Sequence, residues 1–255
     1  MPLPGENVYV RCCFSPHCMA EPAVEAEKID LFYATNETLL PVLKECWSVI
    51  SENEKRRAEK FISASNRETF IFAHAALRVC LSKYIRLKPE DIQFDTDKNS
   101  KPFIPGNPVY FNISHANKAF VIAVAKRNYV GADIEEIVEK SDVRSIATHF
   151  FSKEEQNFIF SDEQGTEERF FLLWTRKESF LKAIGTGMVN HLDKVIVSGD
   201  VNMMDRNIFE DLLTGDISSD HYIYSLKMSD YYISVAAPQK AEINFQFLTK
   251  RIFKR

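Results

Sequence analysis

Apolar and polar positions along the chain repeat with two periods, and the changes between them outline the secondary structure. Residues 29–35 (IDLFYAT) alternate and predict a first strand, preceded by an N-terminal extension over 1–28. Between residues 66 and 85 the apolar positions recur at helical spacing, which predicts a long core-facing helix. The segment 109–125 (VYFNISHANKAFVIAVA) is typical of a β-hairpin, and 92–94 (IQF) predicts a short strand before it.

The same order of elements returns in the second part of the chain. Residues 168–184 predict another long helix, and the strand pattern of 120–125 (FVIAVA) recurs at 231–237 (YYISVAA). We therefore predict an α+β (α/β) pseudodimer of two similar halves, each a small, mainly antiparallel sheet packed with a long helix. The halves are expected at 29–126 and 127–255, and the active site in the groove between them.

Helix starts are marked by a Ser-x-x-Glu pattern in three places. In such a capping box the serine accepts from the backbone N–H three residues on, and the glutamate reaches back to the serine N–H. The predicted boxes are Ser51 with Glu54, Ser65 with Glu68, and Ser152 with Glu155.

Composition and net charge limit the classes of protein to which the chain can belong. The 255 residues are 45% hydrophobic and 27% charged, which is typical of a folded globular chain. A net charge of -4 argues against a nucleic-acid binder that relies on bulk positive charge. There is no run of 18 apolar residues, and the N-terminus lacks the features of a signal peptide, so we expect a cytoplasmic protein without a membrane segment. Five cysteines without framework spacing are expected to be reduced thiols.

The stretch GADIEE (131–136) places two carboxylates on one face of a strand. Asp133 and Glu135 are two residues apart, while Glu136 points to the opposite face and receives no role. At about 5.5 Å and an effective dielectric near 20, their repulsion is roughly 3 kcal/mol if water is excluded. Solvent or a cation could tolerate this pair, and the stretch alone leaves both open.

A second stretch, WTRKESFLKAIGTG (174–187), carries Glu178 and Lys182 together at the edge of an apolar helix face. A solvated surface pair is the plain interpretation, and Lys177 within the apolar face is expected to extend its ammonium to water. If Glu178 meets the two strand acids, a divalent cation such as Mg²⁺ is needed, and substrate phosphates usually complete its coordination. Basic phosphate ligands would then be required, for which Lys182, His115 and Lys101 are candidates.

Four motifs in order resemble the Sfp-type 4′-phosphopantetheinyl transferases: FNISHA (111–116), GADIEE (131–136), FFSKEE (150–155) and WTRKESFLKAIGTG (174–187). The resemblance implies a pseudodimer that transfers the phosphopantetheine arm of coenzyme A to a serine of an apo acyl or peptidyl carrier protein. We expect a monomer, because the internal duplication already supplies the pairing that a dimer would provide. It implies release of adenosine 3′,5′-bisphosphate and a Mg²⁺ ion, with Mn²⁺ as the alternative ion. Coenzyme A would be the co-substrate and the carrier protein the partner.

The same resemblance implies roles for individual residues. The metal ligands would be Asp133, Glu135 and Glu178. For the base that takes the serine proton we choose Glu178, acting either directly or through a metal-bound water. The residues that contact coenzyme A would be Arg57, Arg67, Lys101, Ser114, His115 and Lys182. Of these, His115 and Lys182 would also stabilise the departing bisphosphate, and Arg67 matches an arginine that holds the 3′-phosphate. The first half would bind the adenine nucleotide, and the second would carry the metal-binding acids.

One departure from the family pattern concerns a turn. Ser100 stands before Lys101 where the family usually has glycine. Two other functions use the same residues: a Mg²⁺-dependent nucleotide pyrophosphohydrolase, in which water replaces the serine, and a non-enzymatic module that binds coenzyme A or a carrier protein. The sequence contains no readout of the pathway served, whether fatty-acid, polyketide or nonribosomal peptide synthesis.

Overall fold

A computed structural model describes residues 26–106, 109–139, 142–187, 192–199, 201–204 and 220–253. The predicted N-terminal extension lies outside the described residues except for its last three positions. Within the described ranges, no helix has the length and apolar content needed to cross a membrane.

The strands of the described chain form two sheets and a small ribbon. In chain order, β1 to β11 are Glu27–Thr35, Asp95–Thr96, Pro102–Phe103, Tyr110–Ala116, Ala119–Ala125, Gly131–Glu136, Val195–Ile196, Val201–Met204, Asp220–Met228, Tyr231–Ala237 and Ala241–Phe247. The first sheet has the order β11-β1-β5-β4, the second has the order β6-β10-β9-β8-β7, and β2 pairs with β3. The antiparallel run β1-β5-β4 of the first sheet therefore recurs as β6-β10-β9 in the second.

The helices pack on the outer faces of these sheets. In chain order, α1 to α7 are Asn36–Leu39, Leu43–Val49, Glu52–Ala58, Ala64–Ile85, Val143–Phe150, Lys153–Ile159 and Thr166–Ile184. The long helix α4 packs on the first sheet, and α7 packs on β6 and β10 of the second. The mixed α+β architecture predicted from the sequence is confirmed.

Alternating side chains along the strands produce a four-layer arrangement. In β5 every residue is buried: Phe120 and Ile122 face the core under α4, while Val121 and Ala123 face the second sheet. A further core lies between α7 and the second sheet. The two sheets therefore pack against each other between two helical layers.

Most predicted elements are confirmed, including both long helices, the first strand and the hairpin of β4 and β5. The strand predicted at 92–94 is wrong, because this segment is irregular in the structure. Its Ile92 carbonyl accepts a hydrogen bond from Arg78 of α4 at 2.8 Å, which fixes the segment as a loop against that helix.

Two of the three predicted capping boxes are confirmed, at Ser51 and at Ser152. The box predicted at Ser65 is wrong, because α4 begins at Ala64 and Ser63 is its N-cap. The Ser63 hydroxyl already accepts from the Asn66 N–H, so Ser65 lies inside the first turn.

The final strand crosses the predicted division of the chain. Although β11 follows the second sheet in sequence, it pairs in parallel with β1, with Glu27 opposite Ala241 and Tyr33 opposite Phe247. The boundary predicted between residues 126 and 127 stays a prediction. If it holds, β11 belongs to the second half in sequence but to the first sheet in strand pairing.

Candidate active site

The centre of the candidate site is Asp133, which β6 places against the edge strand β4 of the other sheet. Its side chain is almost fully buried, and Oδ1 accepts from Lys182 Nζ at 2.5 Å and from Ser114 Oγ at 2.8 Å. Lys182 Nζ also donates to Ser114 Oγ at 2.9 Å. Three predicted site residues from β4, β6 and α7 therefore meet at one point between the two sheets.

Glu178 lies one helical turn before Lys182 on α7. Its Oε1 and the Oδ2 of Asp133 are both shielded from solvent, and neither has a hydrogen-bond partner in the described structure. Burial raises the pKa of Glu178, the nearby charge of Asp133 raises it further, and Lys182 opposes the shift. The site thus holds two acceptor oxygens that no donor satisfies.

The role of Glu135 as the third metal ligand stays a prediction. Glu135 is half-buried two residues along β6. Among the described residues, no three His, Cys, Asp or Glu side chains converge closely enough to hold a metal ion. The donor set nevertheless fits a hard cation at Asp133 and Glu178, because carboxylate oxygens can only accept and two of them are unsatisfied.

Lys101 joins the first sheet's side of the molecule to the end of α7. Its Nζ donates to the backbone carbonyls of Val130 at 3.2 Å, Lys182 at 2.5 Å and Ala183 at 3.1 Å. Burial lowers the pKa of Lys101 to about 8, and the charge of Asp97 opposes this shift. The ammonium satisfies C-terminal carbonyls of the helix that carries Glu178. The contact of Lys101 with a coenzyme A phosphate stays a prediction.

The remaining predicted contacts belong to the first-half side of the site. His115 follows Ser114 on β4 and is an exposed residue. Desolvation by the surrounding protein lowers its pKa, and the nearby charges of His74 and Lys182 lower it further. Arg67, in the first turn of α4, is exposed and donates to the Phe61 carbonyl at 3.2 Å. Arg57 at the end of α3 lies over the ring of Phe70, with its Cζ 5.1 Å from the ring centroid. The coenzyme roles of these side chains stay predictions.

Gly131 was given no role by the sequence, yet it permits the contact on which the site depends. A Cβ at this position would lie 2.0 Å from the Ser179 carbonyl oxygen and 2.2 Å from the Ala183 nitrogen. Only glycine therefore lets β6 lie directly on α7, which brings Asp133 to Lys182. The signal was the glycine that opens GADIEE.

Two polar side chains missed by the sequence connect the sheets near Asp133. Asn112 Oδ1 accepts from the Ala132 N–H at 2.9 Å, and Asn117 Nδ2 donates to Glu136 Oε2 at 2.8 Å. The alternation of FNISHA does point Asn112 to the same side as Ser114. These bonds hold β4 and β6 side by side and assign Glu136 a structural contact.

The prediction that Lys177 extends to water is wrong. Its side chain is fully buried, with Nζ 2.8 Å from Glu155 Oε2 and further bonds to the carbonyls of Leu192 and Val195. Glu155 is equally buried and accepts from the Val197 N–H at 2.9 Å. A compensating charge and full hydrogen bonding let the ammonium remain inside the protein.

Two cavities in the described part of the chain lie apart from this cluster. One of about 460 Å³ lies between β1, β9, β10 and β11, and another of about 320 Å³ lies beside Lys101 and Gly185. Neither is lined by Asp133 or Glu178. We place the candidate site by its side-chain chemistry, and the predicted groove stays a prediction.

The fold and the site define a class of protein with a mixed α+β architecture and a buried acid–lysine cluster between two sheets. Residues 40–127 match the family model described as 4′-phosphopantetheinyl transferase, N-terminal. Residues 129–236 match the model of the 4′-phosphopantetheinyl transferase superfamily. The chain belongs to this superfamily, which confirms the resemblance carried by the four motifs.

Several curated relatives carry the same name. The chain is 32% identical to 4′-phosphopantetheinyl transferase HetI of Nostoc sp. over 152 residues, which cover 57% of this chain and 64% of the relative. It is 32% identical to 4′-phosphopantetheinyl transferase Sfp of Bacillus subtilis, over 59% of this chain and 66% of the relative. A putative 4′-phosphopantetheinyl transferase of Synechocystis is 27% identical, over 71% and 80% respectively. The matched part thus spans slightly less than two thirds of the Nostoc and Bacillus proteins.

A solved structure also shows a partial likeness. The crystal structure of Thermotoga maritima holo-[acyl-carrier-protein] synthase matches with a TM-score of 0.31 and 16% identity, over 43% of this chain and 61% of that one. A TM-score of this size is too low to establish a shared fold.

Proposed function

We propose that this protein transfers the 4′-phosphopantetheine group of coenzyme A to a serine hydroxyl of an acyl or peptidyl carrier protein, releasing adenosine 3′,5′-bisphosphate. The observation that carries the proposal is the buried cluster of Asp133, Ser114 and Lys182, with Glu178 adjacent, in a chain of this superfamily. The cluster combines an ammonium, which can bind a phosphate group, with unsatisfied carboxylate oxygens, which can hold a divalent cation. Reaction at a diphosphate needs such positive charges to neutralise its oxygens.

The architecture proposed with this function is a pseudodimer with its active site between the halves. Supporting it, β1-β5-β4 with α4 matches β6-β10-β9 with α7 in both order and direction. The first half, 29–126, would bind the adenine nucleotide, and the second, 127–255, would present the acids. We expect a monomer that acts in the cytoplasm.

A Mg²⁺ ion would be held by Asp133 and Glu178, with Glu135 as the third ligand implied by the family pattern and Mn²⁺ as the alternative ion. When bound, such an ion neutralises negative charge on the diphosphate. Lys182 would bind the diphosphate with the ammonium that now contacts Asp133, and Ser114 Oγ would donate to a phosphate oxygen. His115 and Lys182 would stabilise charge on the departing bisphosphate.

Glu178 is the proposed base that accepts the proton of the carrier serine. Its raised pKa brings a carboxylate closer to the basicity that proton transfer at neutral pH requires. We expect Glu178→Gln to reduce transfer by about 100-fold or more while coenzyme A binding stays measurable by calorimetry. Glu168→Gln is the matched control, because Glu168 lies on the same helix but is exposed and paired with Lys227. Near-normal turnover of Glu178→Gln would exclude the assignment.

Intact mass spectrometry tests the function itself. The protein is incubated with coenzyme A, Mg²⁺ and a panel of apo carrier proteins, and a gain of one phosphopantetheine group on a carrier is the expected result. Cleavage of coenzyme A without that gain would instead support a pyrophosphohydrolase. Binding of coenzyme A with neither reaction would support a binding module.

A further inference from the structure

The turn of the small ribbon packs against the C-terminal end of α7. This turn, residues 97–101, joins β2 to β3. At its end, Lys101 Nζ donates to the backbone carbonyls of Lys182 and Ala183 in the last turn of α7. The last carbonyls of a helix have no partner within it, and the negative end of the helix dipole favours a cation there. Lys101 therefore supplies the end of α7 with donors that the helix itself lacks.

The same ammonium also reaches the strand that carries Asp133. It donates to the carbonyl of Val130 at 3.2 Å, and Val130 is the last residue before β6. Lys101 thus joins the backbones of α7 and β6 through one nitrogen atom. These are the two elements whose side chains meet in the 2.5 Å contact between Lys182 Nζ and Asp133 Oδ1.

All three N–H donors of the Lys101 ammonium are used in these contacts. An ammonium has three donors and no acceptor, and three carbonyls take them at 3.2, 2.5 and 3.1 Å. A bond from Lys101 to a phosphate oxygen would have to replace one of them and leave that carbonyl without its donor. The geometry therefore favours a role in holding the site together over a direct contact with the ligand.

A second side chain of the turn supports this placement. Asn99 Nδ2 donates at 2.5 Å to the carbonyl of Gly185, the residue that ends α7. A Cβ at Gly185 would lie 3.6 Å from Lys101 Cδ, so the turn and the helix end lie in close contact. The turn is itself fixed, because Asp97 Oδ1 accepts from the Lys101 N–H at 2.9 Å. Lys101 is thus presented to α7 by a hydrogen-bonded turn.

We propose that Lys101 is a positioning residue for the transfer reaction, which fixes the backbone of α7 against β6 and so places Lys182 on Asp133. The inference rests on the proposed function for the reaction that Lys182 serves. It assigns Lys101 no direct contact with coenzyme A, in contrast to the phosphate contact that the family pattern implies. The loss of Lys101 then acts on coenzyme A binding through Lys182.

Hydrogen exchange of the protein without coenzyme A tests the positioning. In Lys101→Met, the amides of the last turn of α7, residues 182–185, are expected to exchange about tenfold faster or more, because hydrogen bonds to a charged group are lost. Lys98→Met is the matched control, since Lys98 is exposed in the same turn and its loss changes the net charge equally. It should exchange like the wild-type protein. Wild-type exchange in Lys101→Met would overturn the proposal.

Calorimetric titration with coenzyme A tests the path through Lys182. The wild-type protein, Lys101→Met, Lys182→Met and the double variant are compared without a divalent cation, so that metal binding does not contribute. Lys101→Met alone is expected to weaken binding by about three- to tenfold. The double variant should bind within about twofold of Lys182→Met, because the effect of Lys101 needs Lys182. Unchanged binding in Lys101→Met, or two losses that multiply as for an independent phosphate contact, would overturn the proposal.

If Lys101→Met does not fold, as judged by circular dichroism, Lys101→Gln takes its place in both experiments. Because exchange is measured without coenzyme A and without turnover, its result stands apart from the proposed transfer. Faster exchange in Lys101→Met, in a protein that modifies no carrier, would contradict the transferase function only.

Discussion

Ser100 occupies the left-handed region of backbone space, with φ of 66°, immediately before Lys101. This region costs an L-residue about 1–2 kcal/mol, whereas glycine adopts it freely. Asp97 Oδ1 accepts from the N–H groups of Asn99 and Lys101, both at 2.9 Å, and these two hydrogen bonds stabilise the turn around Ser100. The serine at this position is therefore expected to strain the turn.

We expect Ser100→Gly to raise the free energy of unfolding by about 0.5–1 kcal/mol, since the relief of strain exceeds the entropy cost of glycine. Urea denaturation checks the value. Ser63→Gly is the control, because Ser63 has φ of -73° and its replacement should cost a few tenths of a kcal/mol. An equal or lower stability for Ser100→Gly would contradict the strain argument.

Glu54 is expected to make folding sensitive to acid. Burial would raise the pKa of its carboxyl, but the hydrogen bond and charge of His74, the Ser51 N–H and the Arg78 charge together lower it to about 2. An unfolded glutamate binds more protons than the folded one between about pH 4.5 and pH 2. Its contribution is therefore fully present above pH 4.5 and is lost as the pH falls towards 2.

The measurement is the stability difference between the wild-type protein and Glu54→Gln across that range. We expect a difference of about 3 kcal/mol at neutral pH that shrinks as the pH falls from 4.5 towards 2. A difference that stays constant with pH would show that the ionisation of Glu54 does not stabilise the fold.

At the scale of elements, the buried Glu155–Lys177 pair connects α6, α7 and the segment 192–197. The pair joins two of the sequence motifs, FFSKEE and WTRKES. Lys177 precedes Glu178, so the pair also fixes the part of α7 that carries the proposed base.

Removing one partner leaves a buried charge without compensation, so we expect Lys177→Met alone to cost about 3–5 kcal/mol. The double variant Lys177→Met/Glu155→Leu should lose at least about 2 kcal/mol less than the sum of the two single losses, because no charge then remains inside. Denaturant unfolding of the two single variants and the double variant measures this coupling. The exposed pair Glu168–Lys227 serves as the control cycle and should couple by less than about 1 kcal/mol. Additive losses for the buried pair would refute the expectation.

At the scale of the whole molecule, β11 makes the last part of the chain a component of the first sheet. Ile243 and Phe245 of this strand pack on the core between the two sheets. The two parts of the chain are therefore joined by strand pairing as well as by the contact of their sheets.

We expect truncation after Lys240 to cost about 3–5 kcal/mol and to lower the unfolding midpoint by about 10–15 °C, because β1 loses a partner and apolar side chains are removed. Differential scanning calorimetry measures the midpoint. A chain lacking only residues 254–255 is the control and should melt within about 2 °C of the full chain. A truncated protein that melts like the full chain would show that β11 is dispensable.

Local patterns along the sequence were sufficient to predict the main elements, since hydrophobic periodicity reports which face of a helix or strand is buried. Motif order identified the superfamily and selected Asp133, Ser114 and Lys182 as residues of one site. Patterns failed where a partner distant in sequence decides the outcome. At 92–94, Arg78 donates a hydrogen bond to the Ile92 carbonyl. At Lys177, the compensating charge is 22 residues away on another helix.

The sequence by itself thus determined the periodic elements, the order of the motifs and the side chains available for chemistry. Only the tertiary structure decided that β11 joins the first sheet, that Lys101 binds the end of α7, and that Gly131 permits the contact between β6 and α7. The physical reason is the separation along the chain of the residues that decide each feature. Periodicity is set by residues that are near neighbours in sequence. Strand pairing, buried charge compensation and backbone approach are set by groups that only folding brings together.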